Sequence, residues 1–93
     1  MLTETQQLIS DECDKIKKIL LDKNRKYGDS AVYPVRIFSK ADPIEQINVR
    51  IDDKLSRFKS GQVDDLEDVG LDLIGYCILR RIAKKVHKKK DGI

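Results

Sequence analysis

Side chains for nucleophilic catalysis are scarce in this sequence. Its 93 residues hold one histidine and two cysteines. His87 sits among lysines near the C-terminal end, where surface charge is its expected role, and neither Cys13 nor Cys77 has a recognisable base beside it. Ser-His-Asp and Cys-His mechanisms need a base held against the nucleophile, and none is expected here. The cysteines also lack CxxC spacing and a histidine cluster. They read as small buried apolar residues in a reducing compartment. Long apolar runs are missing as well: the longest, Leu73–Leu79, is broken by Gly75 and is far too short to span a bilayer. The opening MLTETQQ has neither the basic nor the hydrophobic region of a secretory signal. These absences predict a soluble, cytoplasmic protein without a membrane partner.

Aromatic residues are few (Tyr27, Tyr33, Phe38, Phe58 and Tyr76), so Ile, Leu and Val must supply the core. With 38% of residues charged, little remains for a generous one. A chain this short sits near the size at which one core barely offsets conformational entropy. Self-association is the expected remedy. The net charge is only +3, but it is unevenly placed. Acidic residues gather at Asp64–Asp72, and Arg80–Lys90 is almost wholly basic. That polarity follows the dipole of one helix, or else forms a tail for phosphate or nucleic acid.

Periodicity predicts three helices. Thr3 with Gln6 makes a capping box, after which Ile9, Cys13, Ile16 and Leu20 recur as an amphipathic stripe until Gly28 stops the helix in a left-handed conformation. Asp42-Pro43-Ile44-Glu45 is a second start signal, in which Asp caps, Pro takes the first helical position and Glu reaches back. Its stripe is Ile44, Ile47, Ile51, Leu55 and Phe58, ended by Ser60-Gly61. Asp64 and Glu67 open a third helix that is apolar around much of its circumference and so should lie between neighbours. Gly70 and Gly75 within it suggest close backbone approach. The expected fold is all-α: one domain of three helices with a long structured connector between the first two, assembling into a homo-oligomer. Its expected bounds are 3–26 for helix one, 27–41 for the connector, 42–60 for helix two and 64–90 for helix three.

The connector is the odd element. It concentrates Val32, Tyr33, Val35, Ile37 and Phe38 and surrounds them with Lys26, Arg36 and Lys40. Amides around Gly28-Asp29-Ser30, with the Ser30 hydroxyl, are suited to a phosphate nest. Tyr27 and Tyr33 offer faces on which a base can stack, a contribution of about 1–3 kcal/mol per base. On helix two, Arg50, Lys54 and Arg57 share one face, with Asp53 placed to pair with Arg57. That face is either a solvated ion-pair surface or an anion-binding edge. Together these groups describe a nucleotide pocket of Lys26, Tyr27, Gly28, Ser30, Tyr33, Arg36, Lys40, Arg50, Lys54 and Arg57.

Carboxylates permit an alternative. Glu45, Asn48 and Asp52 share a flank of helix two, and Asp65, Asp68 and Asp72 share a face of helix three. Two such helices could hold Mg²⁺ against a triphosphate, the logic of the all-α MazG-like NTP pyrophosphohydrolases. Their pattern is Glu-x2-Glu on one helix and Glu-x2-Asp on the next. Here the pairs read Glu45-x2-Asn48 and Asp65-x2-Asp68, so an amide replaces one charge, and Asp65 and Asp68 are already explained by a helix start.

The strings KYGDS, RIFSK, VRIDDKLSR and DVGLDLIGY, in this order, resemble small phage proteins of the nucleotide modification associated domain group. The shared features are a Tyr-Gly-x-Ser turn, an Arg/Lys-rich second helix and an Asp-x2-Gly-Tyr third helix, over about Asn24 to Lys84. Length and layout are also similar to the phage anti-CBASS nucleotide sponges, small helical proteins that form hexamers and sequester cyclic di- and trinucleotide signals without cleaving them. The first likeness rests on motifs, the second on size and architecture. The sponge likeness implies pockets between subunits, ligands gripped through their phosphates, and suppression of immune signalling in the host cytoplasm, with no cofactor. The apolar connector residues would then be buried against a neighbouring subunit or the chain's own helices, holding the cations on a rigid support. The competing expectation is an Mg-dependent pyrophosphohydrolase-like or nucleotide-modification enzyme. Nucleic acid, bound through the Lys84–Lys90 tail, is a weaker third expectation.

Overall fold

The computed structural model describes residues 1–61 and 68–88, and among these it is all-helical. Helix α1 spans Glu4–Tyr27, α2 Pro43–Ser60 and α3 Val69–His87. The local start signals act as their residue types dictate. Thr3 Oγ1 accepts the Gln6 amide at 3.1 Å while the Gln6 side chain accepts the Thr3 amide at 2.9 Å, closing the capping box. Asp42 caps α2 by accepting the Ile44 amide at 2.8 Å, with Pro43 in the first turn. Glu45 does not reach back as expected; it accepts from the Asn48 side chain at 2.8 Å. Helix α3 begins later than the expected residue 64, with Asp68 as its cap. The expected Asp64 and Glu67 cap lies outside the described residues, as do Lys89 and Lys90.

Helix α1 ends at Gly28, whose amide donates to the Asn24 carbonyl at 2.7 Å. Its φ of 81° is positive as expected, but its ψ of −166° is not left-handed helical. This extended, positive-φ region is essentially reserved for glycine. It sends the chain away from the α1 axis into a tight turn in which the Val32 and Tyr33 amides both donate to the Asp29 carbonyl, at 3.0 and 2.8 Å. The turn delivers Val32 into a small core with Ile47 and Ala83, flanked by Ile44, Ile51, Tyr76 and Leu79.

Helix α3 packs mainly along α2, and α1 meets it over a short stretch. At that contact Gly75 allows a close approach: a Cβ there would lie 3.0 Å from Leu20 Cδ2, so the leucine would have to shift by a few tenths of an ångström. Gly70 has no such reason, since a Cβ would meet only its neighbour Asp68 at an ordinary 3.5 Å. Polar ties span the elements. Asp72 of α3 pairs with Lys54 of α2 at 3.1 Å and with Lys23 of α1 at 3.6 Å. Arg80 Nε donates to Asn48 Oδ1 at 2.7 Å. His87 Nε2 lies 2.8 Å from the Val32 carbonyl oxygen.

The two cysteines are not buried as expected, and of the two supports expected for the connector the chain's own helices cover only one residue. Of the apolar connector residues only Val32 is buried within the chain; Val35 and Ile37 are each 70% exposed and Phe38 is 98% exposed. Pro34 and the mutual Arg36–Lys40 contacts hold that stretch as a surface loop, with none of the described elements above it. Cys13 and Cys77 are both exposed, because the face of each helix that carries them is not covered. The protein as a whole is loosely closed. It exposes 7660 Å², against about 5,500 Å² for a compact monomer of its mass. Its radius of gyration is 15.6 Å, against about 12 Å for a compact chain of this length.

Candidate functional site

Where α1 ends and the Gly28 turn begins, a cavity of about 380 Å³ opens against α2 and α3. Its apolar wall is Leu20, Val32, Tyr76 and Leu79, and its polar rim is Lys23, Asn24, Tyr27, Gly28, Asp29, Ser30 and Arg50. The rim is built by the turn. Asn24, on the last turn of α1, donates from Nδ2 to Asp29 Oδ1 at 2.7 Å and to the Gly28 carbonyl at 3.4 Å. This holds the two sides of the chain reversal together.

The Gly28 amide is taken by the helix end, which corrects its expected place in a phosphate nest. Those of Asp29, Ser30 and Ala31 make no hydrogen bond among the described residues. Three successive amides of this kind are the donors from which an anion nest is made. The cavity therefore joins an apolar wall, the exposed Tyr27 ring, the Ser30 hydroxyl, unpaired backbone donors and the exposed Arg50 guanidinium. Such a mixture suits a ligand with a flat apolar part and an anionic part.

Of the ten residues singled out from the sequence, Tyr27, Gly28, Ser30 and Arg50 line this cavity. The other six lie elsewhere. The Lys26 ammonium stands over the Tyr27 ring, 5.3 Å from its centroid, and supports it from outside the lining. Tyr33 meets the His87 ring edge to face, with centroids 5.4 Å apart. Arg36 and Lys40 each bond the other's carbonyl, at 2.7 and 3.3 Å, and Arg36 faces a separate cleft. Lys54 is turned to Asp72, and Arg57 lies further along α2, outside the lining.

Lys23, Asn24 and Tyr76 line the cavity without having been singled out, and Asp29 was singled out for its amide and not for its carboxylate. The signal available for Asn24 and Asp29 was their position on either side of the glycine terminator, where an amide and a carboxylate can bridge a chain reversal.

The carboxylates of the alternative reading are engaged otherwise. Asp68 Oδ1 accepts the Leu71 amide at 2.9 Å as a helix cap, and Asp72 is bound to two lysines. The Asn48 amide links Glu45 to Arg80. Asp65 lies outside the described residues. Among the described residues no three His, Cys, Asp or Glu side chains gather as metal ligands would, and no helix is long and apolar enough to cross a membrane. No family model, curated protein or solved structure matches this chain.

Proposed function

We propose that the protein is a nucleotide-binding module that holds a phosphorylated nucleotide in the cavity at the end of α1 and does not cleave it. The observation that carries this reading is the trio of amides at Asp29, Ser30 and Ala31, unpaired among the described residues, in the same cavity lining as Tyr27 and Arg50. In it a base stacks on Tyr27 while a phosphate takes the amides and the guanidinium. The engagement of Asp72 by Lys23 and Lys54 favours binding over Mg-dependent hydrolysis, since a metal would have to displace two ammonium groups. On this basis, and on its likeness to the phage sponges, the ligand class proposed is a cyclic di- or trinucleotide, and the role is sequestration of an immune signal.

Size makes a second demand. A cavity of about 380 Å³ suits one nucleotide unit, so a cyclic di- or trinucleotide requires walls from another subunit. We propose that the chain self-associates, which its excess surface of about 2,000 Å² also supports. Obligate interfaces bury surface on this scale. The deciding experiment is titration with cyclic di- and trinucleotides followed by denaturation and chromatography of the recovered ligand. The expected result is saturable binding with ligand returned intact. Recovery of a cleaved product would overturn sequestration, and absence of binding across the panel would overturn the nucleotide assignment.

A further inference from the structure

A second cleft, of about 580 Å³, lies where the connector, the start of α2 and the end of α3 converge. Arg36 comes to it from the connector, and Lys84, Lys85 and Lys88 from the last turns of α3, with His87 among them. Among the described residues none of these four cations is ion-paired to a carboxylate. The cleft's one acid, Asp42, accepts the Ile44 amide as the α2 cap. The lysines suit the C-terminal dipole of α3, but that dipole does not explain Arg36, which arrives from another part of the chain. Its guanidinium is held by the Lys40 carbonyl at 2.7 Å through one of its five N–H groups. Four cations against one carboxylate leave the described lining of the cleft net positive, which suits a multiply charged anion.

The aromatic neighbours narrow the choice. His87 lines the cleft, and Tyr33, still 56% exposed, packs edge to face on it. A cationic groove with an accessible ring beside it matches single-stranded nucleic acid, whose unstacked bases can use the ring face. A duplex or an acidic peptide has no comparable use for it. We propose that this cleft binds the phosphodiester backbone of single-stranded nucleic acid, through Arg36, Lys84, Lys85 and Lys88, with Tyr33 as a stacking face. The site is distinct from the nucleotide cavity and does not depend on that assignment.

The test is fluorescence anisotropy of a short labelled oligothymidylate with the full chain, titrated at several salt concentrations. Four phosphate contacts give a slope of log affinity on log salt of about −2.8, or roughly a 50-fold loss between 50 and 200 mM. Replacing Lys84→Gln and Lys88→Gln together should make the slope shallower by about 1.4, with the thermal midpoint retained. Tyr33→Ala should weaken binding about tenfold at an unchanged slope. Tyr27→Ala, in the other cavity, should leave oligonucleotide binding intact. The proposal is overturned by any of three results: an unchanged slope in the lysine variant, equal competition by polyglutamate, or loss of binding in Tyr27→Ala.

Discussion

Asp72 shows how much one carboxylate can decide. Its side chain and that of Lys54 are 21% and 16% exposed, so solvent screens their pair less than it would on an open surface. Asp72→Asn removes the carboxylate charge 3.1 Å from Lys54 in a partly desolvated position. The expected cost is about 1–2 kcal/mol by denaturant unfolding. Mg²⁺ should stabilise neither form, and a magnesium-dependent rise in midpoint that disappears in the variant would revive the hydrolase reading. Arg50 belongs to the opposite class. It is exposed and lines the cavity, so Arg50→Glu should lower nucleotide affinity at least tenfold in calorimetry while changing stability by no more than about 0.5 kcal/mol. Lys26→Glu, acting only through the Tyr27 ring, should cost less affinity than Arg50→Glu.

Among the elements, α1 is held at one narrow contact. Alanine at position 75 would gain helix propensity of about 1 kcal/mol, but its Cβ would press on Leu20. The two terms should therefore separate in a double-mutant cycle. Gly75→Ala should stabilise the Leu20→Ala background by more than it stabilises the parent, with a coupling of about 0.5–1.5 kcal/mol. Equal effects in both backgrounds would show that the helices do not touch there. The same contrast explains what could be read from the sequence. Thr3 with Gln6, and Asp42 with Pro43, act within one helical turn, so residue types in order were enough to place those starts. The ties Lys54–Asp72, Asn48–Arg80 and Val32–His87 join residues far apart in the chain, and no local pattern announces them. Part of the cavity was legible for the same reason: Tyr27, Gly28 and Ser30 lie close together in the chain at a helix stop. The support of the connector was not legible in this way, because alternating apolar residues look alike whether they face their own core or a neighbouring subunit.

For the whole molecule, the arithmetic of surface dominates. Exposed apolar side chains run along α3 at Ile74, Ile78 and Ile82 and along α1 at Leu8 and Ile9, two faces left uncovered among the described residues. Sedimentation equilibrium should return a multiple of the 10.7 kDa chain mass. Ile78→Asp, which puts a charge in the middle of the α3 stripe, should shift that equilibrium toward monomer while circular dichroism still reports a helical chain. A parent protein that sediments as a monomer at high concentration would remove the case for self-association.

Val32 looks two ways. It lines the cavity at the end of α1, while its carbonyl holds the His87 ring that borders the basic cleft. A single residue is thus common ground for the cavity and for the histidine of the cleft. Whatever firms up the turn steadies the imidazole. Any thermodynamic conversation between the two must run with equal strength in both directions.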